Sequence, residues 1–521
     1  MSLSAELLQE YNASRKCVDK GSICHAPESS MYFGRDGVVS ACCYTRSAKM
    51  GRYPDQSIEE IWTGAEANSM RAAMRRNELP GGCDLCADQF YARNFKGFLA
   101  RQYDDNARLP EAPGWLDRVR SVLRPQRIKR YPTRLDFELS NKCNLECVMC
   151  SGFFSSSIRA NRDNLPPLPQ YYDKAFVEQL LPFLPHLTHA KFLGGEPFLI
   201  DLYYSIWDNL IKVNPGCSVS ITTNGTVYTD KVKRVLEMLN CEIIVSLDSV
   251  TKSTYESIRR NATLERTLDN VEKFAAINRL KKAKGLTIAI CPMASNYREI
   301  PELMTFAGER GIRVFFNTLV YPATQSIKAL PQAEQREVLE VFRSAIPEPR
   351  TEIEKANREA IESFCRQIQY WINDDPSAEP PALDEKYAAL LARYSKSGYL
   401  TLVLSDLAGR SAPNVVHLIE VQEPDPVVAL KGYMSALWEA AGLLQAEGQL
   451  QGMSFDTEKL TGWLEHIQNT VEPERARSMF SELRRFPREM LRFAGSCSGA
   501  QLIELLESHH PRQSGTAPKN Q

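Results

Sequence analysis

From residue 131 onward, short β-prone runs alternate with stretches of helical period. The runs are LDFEL (135–139), AKFL (190–193), SVSIT (218–222), EIIVSL (242–247), LTIAI (286–290) and VFFNT (314–318). Between them lie segments such as LDNVEKFAAINRL, where Leu268, Val271, Phe274 and Ile277 share one helical face. This alternation predicts an α/β fold: a parallel sheet of buried strands with helices outside it. Right-handed crossovers curl six such units into a partial, TIM-like (β/α)6 barrel. Functional residues then belong at the C-terminal ends of the strands.

The flanks follow other patterns. MSLSAELLQEYNASRK reads as a short amphipathic helix and lacks the basic start and apolar run of a signal peptide. Residues 17–95 are rich in Gly, Cys and turn formers. MYFGRDGVVSACC predicts a hairpin turning at GRDG. SIEEIWTGAEANSMRAAMRRN predicts a helix with Ser57 as N-cap and Glu60 at the capping-box position, stopped by LPGGCDLC. The expected organisation is a tail (1–16), a small cysteine-rich α+β domain (17–95), a connector (96–130) and the barrel (131–325). A helical extension (326–395), an α/β or helical region (396–508) and a disordered tail (509–521) follow. Within 396–508, LTLVLSDL (400–407) and VVHLIEV (415–421) suggest a strand pair.

Composition narrows the function classes. The chain is 43% apolar and 24% charged, with net charge −1, so nothing points to nucleic acid or an anionic membrane surface. No apolar run reaches the ~18 residues of a membrane span. A cytoplasmic location is the expectation, and disulfides are rare there.

Fourteen cysteines then need another account. In a reducing compartment, clustered thiols favour metal binding or catalysis. Cys143, Cys147 and Cys150 are spaced C-x3-C-x2-C just after the first barrel run. Structural zinc wants four closed ligands, and no fourth Cys or His lies near. Cys24, Cys42, Cys83 and Cys86 form a second set, C-x17-C-x40-C-x2-C, which also fits a zinc ribbon loosely. Cys17 and Cys43 are spare, and His25 reads as a bystander. Cys217, Cys241, Cys291, Cys365 and Cys497 are isolated and read as small buried hydrophobes.

CNLECVMC (143–150) resembles the signature of the radical S-adenosylmethionine (radical SAM) superfamily. The resemblance implies that Cys143, Cys147 and Cys150 hold three irons of a [4Fe–4S] cluster. S-adenosylmethionine (SAM) would chelate the fourth iron, and reductive cleavage would yield a 5′-deoxyadenosyl radical that abstracts hydrogen from substrate. Met149 matches the apolar position near adenine. LGGEP (193–197) resembles the motif that accepts the SAM ammonium, which implicates Gly194, Gly195, Glu196 and Pro197. By the same resemblance, Thr223 and Asn224 in TTNGT, and Ser246 and Asp248 in SLDS, line the SAM or substrate rim. Arg259 would pair with the SAM carboxylate; an exposed helical arginine is the alternative. Asn296 is a weaker candidate that helix capping explains nearly as well.

Residues 17–95 resemble the twitch domain, the half-size relative of SPASM, with C-x12-G-x4-C through Gly37. Cys24, Cys42, Cys83 and Cys86 would fully ligate an auxiliary [4Fe–4S] cluster for electron transfer. The order is a departure, because in most relatives this module follows the barrel. The expected partners are a peptide or small-molecule substrate and an external donor such as flavodoxin or ferredoxin. Peptide modification is the first reading, and dehydrogenation of a sugar- or aminocyclitol-like molecule the second. A non-catalytic iron–sulfur or zinc protein is the rival from another class. Cys291, at a strand end, is a speculative hydrogen-atom donor.

Overall fold

The structure is a computed structural model. It describes residues 5–15, 17, 20–43, 45, 49–79, 83, 86, 90, 95, 99–107, 131–281, 285–319, 325–373, 391, 393, 398–408, 415, 416, 419, 422–448, 450, 453–485 and 487–496. The expected disordered tail, most of the connector and parts of the last region lie outside these residues.

The six apolar runs of the barrel region are all strands: β4 (Arg134–Glu138), β5 (His189–Phe192), β6 (Ser218–Thr223), β7 (Asn240–Ser246), β8 (Leu286–Ile290) and β9 (Arg313–Phe316). They pair in parallel, each with its neighbour in sequence. Helices α4 (Lys174–Leu180), α5 (Asp201–Val213), α6 (Asp230–Met238), α7 (Lys252–Ile258), α8 (Leu264–Lys281) and α9 (Ile300–Glu309) lie in the crossovers. Fully buried strands were expected. Instead β6 and β7 alternate between buried and half-buried positions. One face is therefore sealed by apolar packing, while the other carries polar residues such as Lys191, Ser220 and Glu242.

Among the described residues, the N-terminal region forms no sheet of its own. Strands β1 (Ser30–Gly34), β2 (Val38–Ser40) and β3 (Lys49–Arg52) extend the parallel sheet, giving the order β3-β2-β1-β4-β5-β6-β7-β8-β9. β1 and β2 form the expected hairpin, with Gly37 at φ +79° in its turn. β1 pairs in parallel with β4. The register aligns Phe33, Phe137 and Phe192 in one buried row, with stacked rings 5.6 and 5.0 Å apart. Phe176 of α4 packs edge-on against Phe33 at 5.1 Å. Such aromatic contacts add to simple area burial, and they fix the module to the barrel edge.

Helix α1 (Ala5–Ser14) precedes this module. The long helix expected after Ser57 is two helices, α2 (Ile58–Thr63) and α3 (Ala65–Arg75). Ser57 and Glu60 form the capping box as expected. The break falls at Gly64, whose ψ of 171° is extended. A β-carbon there would meet Glu60 O at 2.7 Å.

Helices α10 (Gln332–Ser344) and α11 (Glu352–Asn373) belong to the same core as the sheet, which runs from Leu7 to Ile372. A second core, from Leu400 to Ala494, is built by α12 (Gly398–Leu407), α13 (Pro426–Ala446), α14 (Thr457–Thr470), α15 (Pro473–Arg485) and α16 (Pro487–Ser496). The strand expected at 400–407 is thus corrected to helix α12, and the described residues of 415–421 are helical too. Among the described residues, no helix is long and apolar enough to cross a membrane.

Candidate cluster and cofactor site

The loop after β4 carries Cys143, Cys147 and Cys150, and much of its backbone is tied down. Glu146 N donates to Arg260 O (3.1 Å) and Val148 N to Ile258 O (2.9 Å). The run Ser155–Ser157 holds the loop from beneath. Ser156 Oγ accepts from Cys143 N, Ser157 Oγ donates to Cys143 O, and Ser155 Oγ donates to Leu145 O. Sequence reasoning missed these serines; their one signal is three consecutive hydroxyls beginning five positions after Cys150. Arg162 Nη2 adds a bond to Cys150 O at 2.7 Å.

Burial pushes the thiols of Cys143 and Cys150 up to about 12, and mutual repulsion between the would-be thiolates adds to the shift. Cys147 is raised for the same first reason, with Arg259 pulling the other way. Thiols of this kind, Cys147 buried and Cys143 and Cys150 half-buried, become thiolates when a metal supplies the missing positive charge. Three cysteines leave one iron of a [4Fe–4S] cluster open, so this donor set fits that group.

The loop after β5 packs directly on the cysteine loop. Gly195 N donates to Ser140 O and Glu196 N to Lys142 O. Gly194 has φ +122°, and a β-carbon at Gly195 would meet Lys142 O at 2.3 Å. Both glycines therefore let two backbones approach closely. Glu196 is fully buried. Its carboxylate accepts from Thr223 Oγ1 (2.8 Å), Phe198 N (3.1 Å) and Asn224 N (2.7 Å). Burial raises its pKa to about 7 despite these donors. Glu196 and Thr223 thus join the ends of β5 and β6, while Pro197 opens the short turn that follows. Asn224 reaches the cysteine loop, with Nδ2 3.9 Å from Cys143 Sγ and 3.0 Å from Asn144 Oδ1.

On the other side of the loop stands a buried ion pair. Arg259 Nη2 lies 2.7 Å from Asp248 Oδ2, and Nη1 donates to Cys147 Sγ at 3.8 Å. Arg259 is 8% exposed, which removes the exposed-helix alternative. Its Nε is buried with no hydrogen-bond partner, a position where an acceptor such as the SAM carboxylate fits. Asp248 Oδ1 accepts from Cys291 N. Asn296 stands at the N-cap of the short turn Tyr297–Glu299, but its side chain makes no capping bond; it bonds Met293 N, Asp248 O and Cys291 O instead, tying the loops after β7 and β8 together. Cys291 and Met293 pack with Met149 and Val148. Ser246 is half-buried at the end of β7.

The second cysteine set belongs to the same core as the sheet. Cys24, Cys42 and Cys83 are buried and Cys86 half-buried. Burial raises the Cys24 thiol well above its ordinary value, with the charges of Cys42 and Cys86 adding to the effect. These four sulfurs suit a fully protein-ligated cluster. Cys17, His25 and Asp104 meet nearby with their ligand atoms within 4.8 Å of one another. Arg15 holds Asp104 in a two-pronged pair there (3.0 and 2.5 Å), so a guanidinium already serves as that carboxylate's cation.

Two family models match the chain. Residues 137–322 match the family model described as the Radical SAM superfamily, and residues 24–87 match SPASM, an iron-sulfur cluster-binding domain. Similar curated proteins include the GTP 3′,8-cyclase of Clostridium botulinum, strain Hall (25% identical over 186 residues; 36% of this chain, 56% of that protein). The enzyme of the same name from Clostridium perfringens, strain 13, is 24% identical over 226 residues (43% and 67%). The match thus spans little more than half the length of the first of these relatives. Similar solved structures include anSMEcpe with bound AdoMet and Kp18Cys peptide (19% identity, TM-score 0.30, 40% of this chain and 59% of that one). SuiB of Streptococcus suis bound to S-adenosylmethionine is another (16%, 0.32, 51% and 59%). The family is one of enzymes, so the non-catalytic alternative is set aside. Residues 137–322 are thus a radical SAM domain, a family whose cofactors are a [4Fe–4S] cluster and S-adenosylmethionine, and an iron-sulfur-binding SPASM domain stands on its N-terminal side.

Proposed function

We propose that this chain reductively cleaves SAM at Cys143, Cys147 and Cys150, with β4–β9 curling as a partial barrel around the cofactor. The observation that carries the reading is the three-thiol loop with Arg259 against Cys147 Sγ and its Nε unpartnered. Bound by these three cysteines, a [4Fe–4S] cluster would supply the single electron that reductive cleavage of the SAM sulfonium between sulfur and C5′ requires. The chain's residues hold and orient. Arg259 receives the SAM carboxylate, the Gly194–Pro197 segment borders the ammonium, Met149 packs near adenine, and Thr223, Asn224, Ser246 and Asp248 shape the rim. Cys24, Cys42, Cys83 and Cys86 hold an auxiliary cluster that relays an electron. An external flavodoxin- or ferredoxin-type protein is the donor. Cys291, kept as a thiol by burial and by Asp248, is the hydrogen-atom donor to a substrate radical at the rim, and the thiyl radical left behind would regain its thiol by taking one electron from the external donor and one proton from solvent.

The substrate class assigned first is a peptide. A helical body with its own core, at 398–496, is more structure than a small-molecule pocket requires, which supports a macromolecular partner. A small molecule is the second reading, favoured by the name of the curated relatives, GTP 3′,8-cyclase.

The test is 5′-deoxyadenosine formation by anaerobically reconstituted protein given SAM and a strong reductant. The wild type should form it, and the Cys143→Ala/Cys147→Ala/Cys150→Ala variant should not. A silent wild type that retains its iron would refute the proposal. Peptide and low-molecular-mass fractions of host extract, added separately, decide the substrate class by which one accelerates the reaction.

A further inference from the structure

The turn GRDG does more than reverse the chain. Because β1 runs parallel to β4, the residue after β1 emerges at the same edge as the cysteine loop. That residue is Arg35, 3% exposed. Its guanidinium pairs with Glu138, the last residue of β4, whose carboxylate also accepts from Tyr32 Oη. Arg35 Nη1 donates to Phe153 O at 2.5 Å. The rings of Phe153 and Phe154 lie 4.7 and 4.2 Å from the guanidinium carbon. Phe153 is three residues beyond Cys150, so Arg35 grips the downstream arm of the cysteine loop.

We propose that Arg35, supplied by the N-terminal module, is a positioning residue for the cluster held by Cys143, Cys147 and Cys150, and that its charge favours the reduced cluster. The physical reason is simple. Reduction adds one negative charge, and a buried cation in a weakly screening interior stabilises the more negative state. Cluster potentials respond to such nearby charge. Glu138 opposes the effect by neutralising part of the guanidinium. Correct docking of β1 on β4 thereby sets the electronic state of a site in the other domain. The inference rests on the cluster reading given above.

The experiment is a redox titration of the full-length reconstituted chain, followed by the electron paramagnetic resonance signal of the reduced cluster. The signal is assigned by its loss in the Cys143→Ala/Cys147→Ala/Cys150→Ala variant. Survival of the signal in that variant overturns the cluster reading and this inference with it. Arg35→Gln should lower the midpoint, and Glu138→Gln should raise it, at unchanged iron content. Each shift should correspond to about a tenfold change in the reduced-to-oxidised ratio, which is about 59 mV for one electron. Arg35→Lys should restore most of the wild-type midpoint. A purely structural role would move both neutralising variants in one direction or neither, and either result overturns the inference. Should Arg35→Gln fail to fold, Glu138→Gln decides alone: an unmoved midpoint refutes the proposal.

Discussion

Arg259 and Asp248 show how much one buried pair is asked to do. The arginine neutralises a fully buried carboxylate and touches Cys147 at the same time. Arg259→Ala leaves that carboxylate uncompensated, and breaking a buried pair in this way costs about 3–5 kcal/mol. Urea unfolding of the metal-free protein should show that loss, and equilibrium dialysis should show weaker SAM binding. Arg259→Lys should recover stability better than SAM affinity, because the ammonium lacks the two-pronged fork. Glu196 makes a second expectation. Burial lifts it to about 7, so between pH 4.5 and 7 the native state keeps a proton that the unfolded chain has lost. Native stability therefore falls as pH rises through this window, by up to about 1.4 kcal/mol per unit. Glu196→Gln should flatten that slope in urea midpoints taken at pH 5 and 7.5; an unchanged slope would sink the assignment. The cysteines, GGEP and Arg259 were legible because each stands in a motif. The partners of Glu196 were not, because they lie 27 and 28 positions away and meet it only through strand order.

At the scale of elements, apolar runs identified all six barrel strands, but not how the sheet's edges are closed. β9 is an edge strand, and Asn357 of α11 covers part of it. Its Oδ1 accepts from Val314 N at 2.8 Å, and its Nδ2 donates to Ile312 O at 2.9 Å. Asn357→Ala orphans a buried amide and a buried carbonyl, at about 1–3 kcal/mol each. The Val314 amide should then exchange with solvent faster, and unchanged protection would count against this account. On the opposite side of the parallel strands, β4 is covered by β1, from a segment about a hundred residues upstream. Nothing local in MYFG signals that pairing. The error at LTLVLSDL has a different cause. Its residues have β propensity, yet Leu400, Val403, Leu404 and Leu407 recur at helical spacing, and all four are buried in the second core. Period outweighed composition there.

For the whole molecule, the decisive fact is that burial is divided. Leu7 to Ile372 share one core with both cysteine sets, and Leu400 to Ala494 share another. Each has its own apolar interior, so each should unfold as its own cooperative unit. Calorimetry of the full chain should resolve two transitions. A chain ending at residue 373 should keep one of them at its original temperature, load both clusters, and still form deoxyadenosine slowly in the absence of substrate. The same truncation separates the two substrate readings. If the helical body recruits a peptide, truncation should abolish acceleration by the peptide fraction while leaving the slow background reaction intact. If the substrate is a small molecule bound at the strand ends, its acceleration should survive the cut. One concerted transition, or loss of iron on truncation, would instead mean that the helical body supports the barrel, and the argument for a peptide partner would lose its footing.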